Sequence, residues 1–193
     1  MSESLIDRIR ELALSPTEQT RFRSLFAGRP IPPPVAEAVV NAAERALGFA
    51  LPALLREYYT QIGNGGFGPG LGIIGLPGGW TSDYGSIVDI YELVKADSVP
   101  PGTDWQAGLL PFCEWGCNTY WCVDCIDNLN PVAVLEDGDA LGQDYTLPQF
   151  FEMWLNGVDL YNYGDKVSRL RVGTDPKTGE PIIIKRRRRN RPG

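Results

Sequence analysis

Histidine is absent from this chain of 193 residues, and methionine (2) and cysteine (4) are scarce. Without an imidazole the chain cannot form a Ser-His-Asp triad, a Cys-His dyad or a histidine-ligated metal site. It also lacks a P-loop ending in lysine and serine, and a calcium loop closed by glutamate. These absences predict a protein that is not an enzyme.

Long apolar runs are missing as well. No run approaches the roughly 20 residues that a membrane-spanning helix needs. The first residues, Met1–Ser4, lack the basic-then-apolar order of a signal peptide. With 43% hydrophobic residues, the chain can still bury a substantial core. We therefore expect a cytoplasmic protein with no membrane partner, built as one domain with extensions.

Basic residues are few outside the C-terminus. The chain has 18 Lys+Arg and 24 Asp+Glu, and six of the basic residues lie in the last nine positions. The rest of the chain therefore carries a net charge of −12, which disfavours nucleic-acid binding and suits a basic protein partner. General acidity for solubility alone is an open alternative. The basic tail is typical of a disordered end, although it could contact nucleic acid or the acidic body.

All four cysteines fall within 13 residues, in a C-x3-C-x4-C-x2-C pattern: Cys113, Cys117, Cys122 and Cys125. Four thiolates can hold zinc, but zinc ribbons use two short C-x-x-C knuckles and this chain has one. On an extended strand Cys122 and Cys125 would point to opposite faces. We expect free thiols and no cofactor, with zinc as the minority alternative.

Acidic residues are dense between positions 124 and 144. Two of them could in principle pair for acid–base chemistry, as in glycoside hydrolysis. Glu136-Asp137-Gly138-Asp139 is, however, more typical of a solvated turn that follows a strand. Aromatic residues could form a ligand platform, but they are more often packed in the core and at its rim: Trp80, Tyr84, Trp105, Trp115, Tyr120 and Trp121.

Helical spacing and capping signals divide the chain. Apolar positions recur at helical spacing in five segments: Leu5–Leu12, Ser15–Gly28, Ala36–Leu47, Pro52–Ile62 and Thr146–Gly157. Thr146-Leu147-Pro148-Gln149 is a capping-box pattern with proline in the first turn. Gly48 is a natural helix terminator because the residue after a helix often needs a positive φ.

Short apolar runs broken by glycine follow position 66. They predict strands and connections: Leu71–Leu76, Ser86–Val94, Gly108–Trp115, Thr119–Ile126 and Pro131–Leu135. Tyr91–Lys95 could instead be a helical turn. Turn residues between Leu170–Val172 and Ile182–Ile184 predict a β-hairpin. Helices, then strands, then a helix indicate an α+β fold with a largely antiparallel curved sheet and helices packed on one face.

Several separated motifs resemble, in order, the signature of the SUKH superfamily, the Smi/Knr-like immunity and cell-wall-regulator family. An acidic residue and Leu-Gly close one helix, Leu-Pro opens the next, Asn-Gly-Gly ends it, and Trp-Gly follows on a later strand. The residues in those places are Glu44, Leu47, Gly48, Leu51, Pro52, Asn64, Gly65, Gly66, Trp115 and Gly116. The resemblance covers roughly Val35 to Val158, and it implies the same α+β class.

By this resemblance the chain would be a bacterial immunity protein that neutralises a cognate polymorphic toxin, in a toxin–antitoxin relationship without catalysis. The alternative is a regulatory or scaffolding protein-interaction module of the same family. No binding motif transfers by residue, so the expected toxin contacts rest on charge and presumed exposure: Glu114, Asp124, Glu136, Asp137, Asp139 and Asp144.

Four regions are expected along the chain. Residues 1–34 form an N-terminal helical extension, and residues 35–165 form the SUKH-like domain. Residues 166–184 form a C-terminal hairpin extension, and residues 185–193 form a disordered basic tail.

Overall fold

The computed structural model describes residues 3–15, 30–97, 107–117, 119–136, 139–158, 160, 170–174 and 181–185. Helices within this part are α1 (Leu5–Leu14), α2 (Glu37–Leu47), α3 (Ala53–Gln61), α4 (Ile87–Asp97) and α5 (Leu147–Leu155). Strands are β1 (Gly72–Ile73), β2 (Leu109–Gly116), β3 (Thr119–Asp124), β4 (Pro131–Glu136), β5 (Asp139–Thr146), β6 (Leu170–Thr174) and β7 (Pro181–Lys185).

The sheet is an antiparallel meander. Strands β1 to β5 lie side by side in chain order, and β6 pairs with β7 as a separate two-stranded sheet. The register shifts between Pro111 and Cys113, and again between Glu114 and Gly116. Such bulges bend a strand and increase its twist, so β2 curves the sheet. The predicted α+β fold with a curved sheet and packed helices is confirmed.

Helix α1 joins the same core as the sheet. Ser4 caps its first turn, and Ile6, Ile9 and Leu12 are buried along one stripe. The Arg8 guanidinium lies 2.7 Å from the Glu152 carboxylate, which links α1 to α5. The second predicted N-terminal helix, Ser15–Gly28, falls almost wholly outside the described residues.

Helices α2 and α3 match their predicted positions, and Glu44 ties them together. Gly48 ends α2 with a φ of +84°, the left-handed conformation expected of it. The Glu44 carboxylate accepts the Leu51 N–H at 2.8 Å and pairs with Arg56 of α3 at 2.5 Å. Pro52 occupies the position just before α3, where it loses no helical hydrogen bond.

The turn after α3 is fixed by Asn64, which is 3% exposed. Its side-chain oxygen accepts the Leu76 N–H at 2.8 Å, and its amide nitrogen donates to the Leu76 carbonyl at 3.4 Å. Gly65 has a φ of +82°, and a Cβ there would lie 2.5 Å from the Gly75 nitrogen. The chain therefore passes too closely at this point for any other residue.

The strand or connection predicted for Ser86–Val94 is wrong, because this segment belongs to α4. Ile87, Ile90 and Val94 are buried at helical spacing. The Asp89 carboxylate accepts both the N–H and the hydroxyl of Ser86, at 2.8 and 2.7 Å, at the start of the helix. The helical turn considered for Tyr91–Lys95 is the C-terminal half of this helix.

Aromatic rings fasten α5 to the sheet. The predicted capping box of Thr146 and Gln149 opens α5. The Phe150 ring lies 5.3 Å from Phe112 of β2 and 5.2 Å from Trp121 of β3, measured between centroids. Each aromatic ring buries a large apolar area, and the ring–ring contacts add to that stabilisation. The aromatic residues therefore dominate the packing of α5.

Of the last three strands, one was not predicted from the sequence and two were. Strand β5 was not predicted, since only an acidic turn was expected around Asp139. The predicted C-terminal hairpin is confirmed as β6 and β7, with Leu170 opposite Lys185, and β6 lies against β5. Residues 186–193 of the basic tail lie outside the described residues.

Candidate functional site

The register of the sheet places the acidic candidates at two opposite ends. The hairpin end comprises the β2–β3 and β4–β5 turns, and the loop end comprises the β3–β4 loop together with the end of β5. Glu114, Glu136 and Asp139 lie at the hairpin end, whereas Asp124 and Asp144 lie at the loop end. Asp137 is outside the described residues. Asp124 and Glu136 end neighbouring antiparallel strands at opposite ends, so they are not paired for acid–base chemistry.

Glu114 at the hairpin end is buried, at 7% exposure, which contradicts the exposure on which its selection rested. It lies opposite Tyr120 on β3 and Gly72 on β1, and the loop containing Ser82 and Asp83 approaches it. Burial and the charge of Asp83 raise the pKa of Glu114, while a hydrogen bond from Ser82 partly offsets them. Because its side chain is buried, Glu114 is poorly placed to contact a partner directly.

Tyrosines complete the hairpin end. Burial, with the nearby Glu114 charge, raises the pKa of Tyr120 to about 12. Tyr84 is 47% exposed, and its N–H donates to the Ser82 hydroxyl at 3.1 Å. The Trp115 ring is half-buried over Gly70, where a Cβ would lie 2.1 Å from the ring atom Cε3. Among the described residues, this end therefore presents the exposed Tyr84 ring beside the buried Glu114 carboxyl group.

The loop end has a different character, because its acidic side chains organise backbone. Asp124 Oδ1 accepts the N–H groups of Ile126 and Asp127 at 2.9 and 3.1 Å. Asp127 Oδ1 accepts the Leu129 N–H at 2.8 Å. Asx turns of this type set a loop in one conformation. Ile126 and Leu129 stand out of the turns, 61% and 71% exposed.

The four cysteines do not converge on one point. Cys113 and Cys122 are buried in the sheet, Cys125 is half-buried beyond the end of β3, and Cys117 is exposed. Burial raises the pKa of Cys113, Cys122 and Cys125, which holds them as thiols. Over the described part of the chain, which includes all four, no group of three or more His, Cys, Asp or Glu side chains is placed to hold a metal. The zinc alternative gains no support from this arrangement.

Sequence reasoning missed the two apolar side chains of the β3–β4 loop. Ile126 was assigned to the end of a strand, and Leu129 was not selected. The signal that could have found them is the run Asp124-Cys125-Ile126-Asp127-Asn128-Leu129-Asn130, whose Asp and Asn residues predict turns around apolar ones.

The described helices contain no segment that is both long and apolar enough to cross a membrane. The curved antiparallel meander, with helices packed on it, defines an α+β domain. A family model described as the SMI1/KNR4 family (SUKH-1) matches residues 34–156. The chain belongs to this family. Comparison with curated proteins gives no match.

Membership supports an immunity or cell-wall-related protein-interaction module, and members of the family are in general non-enzymatic. The motif residues that carried the resemblance lie at structural positions here: Glu44 and Asn64 hold backbone N–H groups, and Gly48 and Gly65 take positive φ. These four residues therefore stabilise the scaffold.

Proposed function

We propose that this chain is a bacterial cytoplasmic immunity protein that binds a cognate toxin domain and blocks it without chemistry of its own. The observation that carries the proposal is the match to the SMI1/KNR4 family (SUKH-1) over residues 34–156. Binding alone is sufficient for this function, since a bound protein can cover an active site or hold an inactive conformation.

Charge supports a basic toxin as the partner. Apart from residues 185–193, the chain has 12 basic and 24 acidic residues. Proteins that act on nucleic acids carry Lys and Arg to grip phosphates, so an acidic inhibitor would attract them and repel acidic competitors. Opposite fields also speed encounter, an effect that falls as ionic strength rises.

The test is a pulldown from the native organism with the purified chain as bait, at low and moderate salt. We expect recovery of a basic toxin domain, encoded next to the chain's own gene, whose activity the purified chain abolishes at stoichiometric amounts. Recovery of housekeeping proteins alone, with no toxin neutralised, would overturn immunity in favour of the regulatory module. The matched control is an unrelated acidic protein of similar size and charge, which should neither bind nor neutralise.

A further inference from the structure

Two large apolar side chains project into solvent from the β3–β4 loop, three positions apart. Ile126 is 61% exposed and Leu129 is 71% exposed. Single exposed apolar residues are ordinary on a protein surface, but a pair on one short loop makes a local apolar tip.

Side-chain hydrogen bonds fix the loop from within. Asp124 and Asp127 accept three backbone N–H groups between them. The Asn130 amide donates to the carbonyls of Asp124 and Asp127 at 3.1 and 2.9 Å, and Asn130 itself has a φ of +48°. The loop has therefore already lost the conformational entropy that ordering on binding would otherwise cost.

Both ends of the loop are also tied to the body. The Cys125 N–H donates to the Gly108 carbonyl at 2.9 Å, and the Leu147 N–H donates to the Asn130 carbonyl at 2.9 Å. The Ile126 side chain lies over Gly108, where a Cβ would approach its Cγ1 to 2.6 Å. One edge of Ile126 is thus supported, and the remainder stays in water. The tip is held outward by the fold.

The negative charge of the loop limits which protein surfaces can cover it favourably. Residues 124–130 contain two aspartates and no lysine or arginine. A partner that covers the apolar tip must offer an apolar pocket, and favourable electrostatics require Lys or Arg at its rim. A second copy of this acidic chain is a poorer fit because the body carries −12.

We propose that residues 124–130 form the recognition loop of this chain, with Ile126 and Leu129 entering an apolar pocket of the toxin domain and Asp127 facing basic groups at the pocket rim. The inference rests on the proposed function and assigns its contact surface. Apolar anchors at the centre of an interface with a charged rim are the usual source of most binding energy. The hairpin end, with its buried Glu114, has no pair of exposed aliphatic side chains among the residues that the structure describes.

The experiment uses the full chain and the purified toxin domain that it neutralises. The variant I126S/L129S removes both anchors, and L14S/L93S removes two exposed leucines from helices elsewhere on the surface. We expect the loop variant to bind roughly 100-fold more weakly and to lose neutralisation, and the control variant to stay within about threefold. Both variants should keep the wild-type circular dichroism spectrum and a cooperative unfolding transition, which show that they are folded.

Asp127→Asn tests the charge separately. Asparagine keeps a side-chain oxygen for the Leu129 N–H, so the turn is retained while the negative charge is lost. We expect about 3- to 10-fold weaker binding at low salt and a smaller difference as salt rises.

The possible results distinguish failure of the recognition loop from failure of the immunity function on which it rests. Wild-type neutralisation together with unchanged binding of I126S/L129S would overturn the recognition loop and leave immunity standing. Loss of binding only on charge reversal at the hairpin end, for example by Glu136→Lys, would also overturn it. If the wild-type chain neutralises no toxin domain, both the immunity proposal and the recognition loop are overturned.

Discussion

The Asn64 side chain is the connection whose removal tests the fold most directly. It holds the backbone of Leu76 through two hydrogen bonds, at 2.8 and 3.4 Å, in a site that is 3% exposed. Asn64→Ala removes the side-chain donor and the side-chain acceptor of these two bonds. The buried Leu76 N–H is then left without its side-chain acceptor. Water cannot easily replace that acceptor where so little surface is open.

The expected magnitude follows from these two bonds. An unsatisfied buried amide costs about 1–3 kcal/mol, and the longer bond to the Leu76 carbonyl contributes less. Relief from burying the asparagine amide offsets part of the loss. We expect Asn64→Ala to lower the free energy of unfolding by about 2–3 kcal/mol, or the melting temperature by about 4–12 °C for a chain of this size.

Urea denaturation followed by tryptophan fluorescence and by circular dichroism measures this change. The matched control is Asn128→Ala, because Asn128 is exposed and its loss should cost less than about 0.5 kcal/mol. A loss below about 0.5 kcal/mol for Asn64→Ala as well would refute the view that this side chain clamps the turn.

Three further predictions concern single groups. Burial and Asp83 raise the pKa of Glu114 above its ordinary value of 4.5, so the folded state binds this proton more tightly and Glu114 lowers stability as pH rises through and beyond that value. Glu114→Gln should therefore gain stability relative to wild type as the pH rises above about 4.5 in urea titrations, and a pH-independent difference would contradict this. Among the four cysteines, only Cys117 is exposed, so a thiol reagent should modify one cysteine rapidly under native conditions and none in Cys117→Ser; rapid reaction of a second thiol would disagree. Gly48→Ala should cost about 1–2 kcal/mol in thermal or urea unfolding, from the positive φ alone, since no atom lies within 4 Å of the added Cβ; a neutral result would argue against the left-handed cap.

Local signals in the sequence predicted the elements that depend on local physics. The end of α2 at Gly48 follows from the need for positive φ, and the start of α5 follows from the Thr146–Gln149 capping box. The C-terminal hairpin follows from its turn residues. In each of these places, the residues that decide the conformation are near neighbours in the chain.

Most of the sequence predictions that failed concern residues whose conformation depends on contacts with residues distant in the chain. Helix α4 is an exception, because the Ser86-x-x-Asp89 spacing at its start is a local capping signal. Its apolar residues are of a kind that also suits strands, and they favoured the strand interpretation. Strand β5 contains aspartates and a glycine, and it is a strand because β4 offers it a partner. Burial of Glu114 depends on the loop around Asp83, which is 31 positions away in sequence. Contacts between residues that are distant in the chain leave no trace in the local spacing of apolar residues, so the periodicity could not predict them.

The acidic candidates lie at two separated ends of the sheet. Charge variants at each end can therefore show where the partner binds. Strand β3 joins the ends over six residues, so they lie roughly 17 Å apart along the strand. That distance is about two Debye lengths at physiological ionic strength, where the Debye length is about 8 Å. A charge at Glu136 should therefore affect a partner bound at the recognition loop only at low salt. A charge at Asp127, in contact with the partner's rim, should keep part of its effect at physiological salt, because water and ions are excluded there. The salt dependence of paired charge variants thus distinguishes a partner seated on the loop from one attracted by the acidity of the whole body.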